Sequence, residues 1–423
     1  MARRNVYLIT LIFLIFFVIS LLTNVMGAIV PEIITSFSVS YRMAALLPFS
    51  FFLAYGLLSI PGGIFVELWQ EKRVVILSFL LGLSGALLFA LVPQYGVALP
   101  SLFLIGAGMA IIQVAINPLL RVAGGEEHFA FNSVIGQLVF GAGGFISPQI
   151  YKYATDVSPE GRDPIQSLLA SLVPEHLPWV SVYWVFAASC VVMVIVVFIS
   201  RFPKVELKED EKVGALSTHL GLLRRPMVWA YFLGIFCYVG SEQGTANWTS
   251  QFLANYHGMD PQTRGADAVS HFWIMMSVGC LLGLALLKVF DSRKVLIGFT
   301  VGALVALTTG LLGSAEVAFW AFPMVGFFAS VMWSVIISLA LNSVTEHHGS
   351  LAGILCSGIL GGAVVPVVVG AISDELGSLR AGLTFLYLTF GYVLAIGFWA
   401  RPLVNNETIS SRKATLEAGE AAR

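Results

Sequence analysis

Long apolar stretches, separated by short polar or Gly/Pro-containing breaks, run through almost the whole chain. A helix needs about 20 mostly apolar residues to cross the hydrocarbon core of a bilayer. The alternating ten-residue pattern of a membrane β-barrel does not occur. The pattern therefore predicts twelve membrane-spanning helices, at about 6–30, 43–66, 74–92, 99–120, 131–150, 180–200, 227–253, 268–287, 295–312, 317–343, 351–373 and 381–400.

Composition agrees with an all-α integral membrane protein. Hydrophobic residues make up 57% of the 423 residues and charged residues 11%, whereas about 25% of an ordinary soluble domain is charged. The four cysteines, Cys190, Cys237, Cys280 and Cys356, fall inside predicted spans without paired spacing, so we expect neither a zinc site nor a disulfide. The net charge of −1 gives no reason to expect a nucleic-acid partner.

Lys and Arg are distributed unevenly among the predicted loops. Of the 23 basic residues, 18 fall on the side of the membrane that carries both chain ends and 5 on the other side. Basic residues concentrate in cytoplasmic loops. We therefore expect a protein of the plasma (inner) membrane with both termini in the cytoplasm and lipid around its spans.

Two segments of the chain repeat each other. Residues 71–77 read EKRVVIL and residues 292–297 read SRKVLI, and aligning Arg73 with Lys294 gives an offset of 221 that also carries the first span onto the seventh. A parallel repeat of six spans resembles the organisation of major facilitator transporters, whose two six-helix bundles are related by a pseudo-two-fold axis. The predicted units are a first bundle at 1–202, a cytoplasmic linker at 203–226, a second bundle at 227–401 and a cytoplasmic tail at 402–423.

Motifs inside the spans narrow the resemblance. The sequences QVAINP at 113–118 and FCYVG at 236–240 are similar to segments of the fucose/galactose/glucose cation symporter family, and Trp248, Gly361 and Asn132 fit that family as well. The resemblance implies a sugar transporter that works by alternating access with an ion gradient, and a functional monomer. It also implies a small-molecule sugar as the partner.

Three positions depart from the fucose permease of that family. The permease has an aspartate where this chain has Gly27, and a glutamate where this chain has Gln113. The arginine of its eighth span has no counterpart near 278–280. The carboxylates that handle protons in the family are therefore absent from this chain.

Glu242 is the one carboxylate deep inside a predicted span. Because such a residue costs about 3 kcal/mol to insert, it usually serves an ion, a proton or a substrate. We predict that Glu242, with Ser241 and Thr245, forms the ion-coupling site. The sequence leaves open whether the ion is Na⁺ or H⁺, and whether Glu242 instead locks two helices together as a neutral, hydrogen-bonded side chain. No other cofactor is expected.

Side chains that both donate and accept hydrogen bonds suit neutral sugars, and aromatic faces suit the apolar side of the ring. Amides in membrane helices also bond to neighbouring helices, and tryptophans at span ends also anchor in the interface, so each candidate has a structural alternative. Trp273 offers a further ring. The predicted substrate-binding residues are Asn24, Gln113, Asn117, Gln137, Gln243, Asn247, Trp248, Trp333 and Asn342.

The sequence predicts a secondary active hexose transporter coupled to a cation through Glu242. A gradient-independent uniporter and a non-transporting nutrient receptor on the same fold remain open. Gln113 and Asn117 are four residues apart, as are Gln243 and Asn247, so each pair of amides shares one helix face. An exporter of apolar compounds is permitted by the 31 phenylalanines but disfavoured by these paired amides. No Ser-His-Asp set, metal cluster or carboxylate pair lies within the predicted spans, so we do not expect an enzyme.

Overall fold

The computed structural model describes residues 6–124, 129–155, 163–202, 216–344 and 348–403, and every regular element in these ranges is helical. Ten stretches are long and apolar enough to cross a bilayer. The helices Phe129–Thr155 and Pro226–His257 are also long enough, and their polar residues lower their hydropathy. Together they make the twelve spans, which confirms the prediction of an all-α membrane protein.

The described part of the first half contains eight helices. The short helix α7 connects the fifth and sixth spans and begins at Asp163, whose side chain caps it. A 3₁₀ turn, Pro178–Val180, precedes α8. The bounds are α1 Val6–Thr23, α2 Met26–Phe37, α3 Tyr41–Trp69, α4 Glu71–Leu91, α5 Tyr95–Gly124, α6 Phe129–Thr155, α7 Pro164–Ser171 and α8 Ser181–Ile199.

The second half begins with a short helix inside the predicted linker. Residues 203–215 of that linker, and the predicted tail from residue 404, lie outside the described residues. A π turn, Pro261–Gly265, precedes α11, and a 3₁₀ turn, Gly358–Leu360, precedes α16. The bounds are α9 Leu216–Leu223, α10 Pro226–His257, α11 Ala266–Leu287, α12 Ser292–Leu312, α13 Ala315–Ala329, α14 Met332–Leu341, α15 His348–Ser357, α16 Gly361–Leu376, α17 Leu379–Leu383 and α18 Phe385–Trp399.

Several predicted spans are interrupted. The first is longer than predicted and breaks between α1 and α2 at Asn24, where the Thr23 hydroxyl bonds to the carbonyl of Ile19 and the Asn24 amide to the Ser20 hydroxyl. Such side-chain bonds to the preceding turn compete with a regular helix. The tenth span breaks between α13 and α14 at Ser330. Hydropathy detects apolar length, and for that reason it did not reveal these breaks.

The two halves meet along two main pairs of helices. Span two of one half (α3) packs on span eleven of the other (α16), and span five (α6) packs on span eight (α11). Exchanging the halves converts the first pair into the second, as a pseudo-two-fold axis requires. The helices α2 and α10 also touch across this interface.

The bundle has two faces, which we name by the chain ends. On the terminal face the Tyr7 hydroxyl bonds to Ser200, and the N–H of Leu403 donates to the carbonyl of Asn342. On the distal face lie the start of α3 and the end of α16, which run antiparallel, so that Gly370 lies against Tyr41 while Gly56 lies against Leu360.

Candidate functional site

A cavity of about 530 Å³ lies between the two halves. This volume falls within the range of about 300–1,000 Å³ that is typical of small-molecule sites. Its polar and aromatic side chains come from α1, α3, α5 and α6 of the first half, from α10, α11, α14 and α15 of the second, and from the breaks at Asn24 and Ser330. They are Phe16, Thr23, Asn24, Phe52, Tyr55, Ser59, Gln113, Gln137, Phe140, Tyr238, Glu242, Gln243, Trp273, Ser277, Cys280, Ser330, Trp333, Ser334 and Cys356.

Glu242 supplies the only charge among the described side chains that line this cavity. One carboxylate oxygen, Oε2, accepts a hydrogen bond from the hydroxyl of Tyr238, which lies one turn earlier on α10. The other, Oε1, accepts from Nε2 of Gln243 at 3.0 Å. Two neutral donors thus hold an acidic group that faces the space between the halves, where a cation can reach it.

Amides from both halves reach the same cavity. Asn24 and Gln137 come from α1–α2 and α6, Gln113 from α5, and Gln243 from α10. Asn24 lies at the break of the first span, and its Oδ1 has no hydrogen-bond partner among the described residues. Interrupted membrane helices commonly supply substrate groups in transporters. A polar ligand in the cavity can therefore bridge the two halves.

Two tryptophans line the cavity from the second half. The ring of Trp333 on α14 lies 6.4 Å, centroid to centroid, from the ring of Tyr238. Trp273 on α11 is buried against α6, where Gly144 leaves room for its side chain and for the Asn24 amide. Trp333 is only partly buried and lines the cavity with an aromatic ring beside Tyr238.

The structure does not bring Ser241 and Thr245 to the carboxylate as predicted. Ser241 is buried on the far side of α10, where its hydroxyl bonds to the carbonyl of Cys237 at 2.8 Å and to Thr389 of α18 at 2.6 Å. The Thr245 hydroxyl donates to the carbonyl of Ser241 at 2.7 Å. Within the described ranges, no cluster of three or more His, Cys, Asp or Glu side chains can hold a metal ion.

Four predicted substrate residues are not among the described lining of the cavity. Asn247 and Trp248 are buried one turn beyond it, and the indole N–H of Trp248 donates to the carbonyl of Pro366. Asn342 ends α14 on the terminal face, where its amide donates to Ser338 at 3.4 Å. Asn117 lies in α5, but its side chain is outside what the structure describes.

Several lining residues, among them Tyr238, Tyr55 and Ser330, were not among the predicted site residues. Tyr238 could have been found, because it precedes Glu242 by four residues and such positions share a helix face. Tyr55 on α3 and Ser330 carried no comparable signal. Their place depends on how the helices of opposite halves meet, which the sequence pattern does not encode.

A carboxylate from the second half closes the distal face over the start of α3. Asp374 accepts the backbone N–H of Tyr41 at 3.0 Å and that of Arg42 at 2.8 Å. Negative charge is favourable at a helix N-terminus, where N–H groups lack partners. The Tyr41 hydroxyl also accepts from Asn255 of α10.

Further bonds join the halves on the distal face. Lys152 of α6 pairs with Asp267 of α11 at 3.1 Å, and Gln149 donates to the same carboxylate. Gln262 donates to Glu32 at 2.8 Å. By contrast, the cavity lining extends along α3 and α15 toward the terminal face. The structure is therefore a state that is closed at its distal face.

Removing the Asp374 carboxylate is expected to favour opening of the distal face. Charge-assisted bonds of this kind contribute about 1 kcal/mol after solvent screening, so Asp374→Ala should shift the equilibrium about fivefold toward the distal-open state. Electron paramagnetic resonance distances between spin labels at Val92 and Leu312, one on each half, report the shift. Glu375→Ala removes an exposed carboxylate one residue away and should leave the distances unchanged.

The chain matches the family model described as Major Facilitator Superfamily over residues 12–366. It is 29% identical over 387 residues to a glucose/galactose transporter of Brucella abortus, covering 88% of this chain and 89% of the relative. It is 25% identical over 382 residues to the L-fucose-proton symporter of Escherichia coli, covering 86% of each.

Solved structures share the fold. The match to the crystal structure of a single-residue variant of the E. coli fucose:proton symporter covers 94% of this chain and 100% of that chain, with a TM-score of 0.67 and 22% sequence identity. The fold also matches the crystal structure of a bacterial homologue of the human lysosomal transporter Spinster in an inward-facing conformation. The match covers 94% of this chain and 98% of that chain, with a TM-score of 0.73 and 15% sequence identity.

Proposed function

This chain belongs to the major facilitator superfamily and is a transporter rather than an enzyme, and on that premise we propose that it moves a hexose across the membrane by alternating access, coupled to a cation through Glu242. The names of its relatives support the sugar. The observation that carries the coupling is the position of Glu242, the one charged side chain in the described lining of a cavity whose amides come from both halves.

The proposed cycle uses these groups in order. A cation or proton neutralises Glu242, the sugar bridges Asn24 and Gln113 of one half and Gln243 of the other, and the loaded halves then rock past each other. A bare carboxylate resists occlusion because burying an unpaired charge is costly. We propose that the protein acts as a monomer in the plasma membrane, with both termini in the cytoplasm. The terminal face is then the cytoplasmic one, and the cavity faces inward.

The hydrogen bonds around Glu242 favour a proton over Na⁺ as the coupling ion. Sodium requires several oxygen ligands at once, and the hydroxyls predicted to complete such a cage, those of Ser241 and Thr245, are bonded elsewhere. A proton requires only the carboxylate itself. The Tyr238 hydroxyl and the Gln243 amide act as donors to this carboxylate, so they are not oriented as oxygen ligands for Na⁺.

Uptake into proteoliposomes tests the proposal directly. Labelled glucose, galactose and fucose are offered with an inward proton gradient, an inward sodium gradient or no gradient. We expect accumulation of at least one hexose with the proton gradient alone. Accumulation with sodium alone would keep the symporter but change its ion. Absence of flux for every sugar would contradict the substrate class.

A uniporter is the second candidate, favoured by the absence of the two carboxylates that the fucose permease carries. It predicts equal equilibration of sugar under all three conditions. A receptor that keeps the fold without turnover predicts sugar binding without flux. The same vesicles, combined with a binding measurement on the purified protein, distinguish both from a symporter.

Truncating Trp333 is expected to weaken sugar binding. An aromatic face that stacks on a sugar contributes about 1–2 kcal/mol, so Trp333→Ala should raise the sugar KM by roughly tenfold with little change in the maximal rate. Trp333→Phe should restore most of the affinity. Trp320→Ala, at a half-exposed position outside the cavity, serves as the control. An unchanged KM in Trp333→Ala would exclude stacking there.

A further inference from the structure

We propose that Tyr238 binds the sugar through a hydroxyl group that the ionised Glu242 occupies, so that sugar affinity depends on the charge state of Glu242. The inference rests on the proposed function and deepens it, because it assigns the link between cation and sugar to one hydroxyl group. Sugar and cation then bind cooperatively without a large movement of the backbone.

Two hydrogen-bond donors are bonded to the Glu242 carboxylate. Tyr238 and Glu242 are four residues apart on α10, so they share one helix face. The Tyr238 hydroxyl donates to Oε2 and the Gln243 amide to Oε1 of the carboxylate. While Glu242 is ionised, it accepts hydrogen bonds from both donors, which are then occupied and not available to a ligand in the cavity.

The ring of Tyr238 lies beside Trp333 of α14, in the same half of the protein. It lies 6.4 Å from the Trp333 indole at an interplanar angle of 52°. Tyr238 and Trp333 both line the cavity. Tyr238 therefore touches the ion-coupling group with its hydroxyl and the proposed sugar platform with its ring.

Neutralisation of Glu242 releases the Tyr238 hydroxyl. When a proton binds to a carboxylate oxygen, the resulting acid is a weaker acceptor, and charge-assisted bonds are roughly twice as strong as neutral ones. Tyr238 keeps its own proton and becomes free to donate to a sugar hydroxyl beside Trp333. Without a cation this donor is occupied, and the sugar hydroxyl is left without its partner.

Other titratable groups that face the cavity do not supply this dependence. Tyr55 comes from α3, Cys280 from α11 and Cys356 from α15. Phenol and thiol groups carry no charge in their protonated forms. No Lys, Arg, His or Asp occurs among the described lining residues. A change of charge in the described cavity therefore begins at Glu242.

Sugar affinity of the purified full-length protein, measured by calorimetry across a pH series and a Na⁺ series, tests the proposal. In the native protein we expect the saturating cation to tighten binding of the transported hexose by roughly tenfold, within the usual range of coupling between sites. Tyr238→Phe should reduce that factor to less than about twofold, with affinity near that of the cation-free native protein. Tyr231→Phe makes the same change on the same helix, where the hydroxyl bonds to Ser343, and should keep the native factor.

Glu242→Gln provides a second test, in a background that lacks the titrating carboxylate. Its sugar affinity should not vary with the cation, and adding Tyr238→Phe should lower that affinity while leaving the dependence absent. A native-like cation dependence in folded Tyr238→Phe overturns the inference and leaves the proposed function intact. If the native protein itself binds sugar without any cation dependence, both fail.

Discussion

Replacing Glu242 by glutamine is expected to abolish gradient-driven sugar accumulation while preserving sugar exchange across the membrane. A membrane potential of about 100 mV is worth about 2.3 kcal/mol per elementary charge, which supports roughly 50-fold accumulation for one coupled cation. Glutamine resembles the neutralised acid, so the halves can rock without a cation. Accumulation should therefore fall to simple equilibration, as measured by uptake and by exchange of labelled sugar in proteoliposomes.

The matched control is Glu175→Gln, at an exposed position in the loop before α8, which should accumulate sugar as the native protein does. Full accumulation by Glu242→Gln would remove Glu242 from coupling and leave it the role of a helix-locking side chain through Tyr238 and Gln243. Loss of both accumulation and exchange in a folded protein would place Glu242 in sugar binding.

Hydropathy was sufficient to predict the spans, because every backbone group in the hydrocarbon core must bond within its own helix and long apolar runs satisfy that condition. The repeat likewise predicted two bundles. The breaks at Asn24 and Ser330 escaped detection, since neither break shortens the apolar run in which it lies. Asn24 was nonetheless among the predicted substrate-binding residues, and it lies at one of these breaks.

The candidate residues on α10 show where sequence reasoning ends. Glu242 and Gln243 reach the cavity, but Ser241, rotated by about 100° from Glu242, faces α18. Asn247 was paired with Gln243 by spacing, but α10 packs against α2 one turn further on, so the cavity is closed at that level. Which turn of a helix borders the cavity depends on the contact between halves, which one sequence does not reveal.

The hydrogen bonds of Glu32 and Asp374 also depend on the contact between the two halves. Both acids sit at span ends, where the sequence gives no reason to look beyond solvation. In the structure each one accepts hydrogen bonds from the opposite half. The residues that define the closed state thus come from positions that look ordinary in the sequence.

Adding a single methyl group at Gly27 is expected to slow transport by at least about tenfold. A Cβ at this position would lie 2.2 Å from the carbonyl oxygen of Ala246 and 3.3 Å from a methyl carbon of Val269, both in the opposite half. Overpacking of this kind costs about 1–3 kcal/mol. Because the clash is between the halves, Gly27→Ala should disfavour the distal-closed state rather than unfold either bundle.

Initial uptake rates and the spin-label distances between Val92 and Leu312 measure this effect, and both should indicate a protein held open at its distal face. Gly298→Ala is the matched control, since a Cβ at Gly298 meets nothing within 4 Å. Native transport by Gly27→Ala would mean that α2 and α10 do not approach this closely during the cycle. The expected loss of transport would instead explain why this chain has a glycine where the fucose permease has an aspartate. A side chain at this position would prevent the distal face from closing.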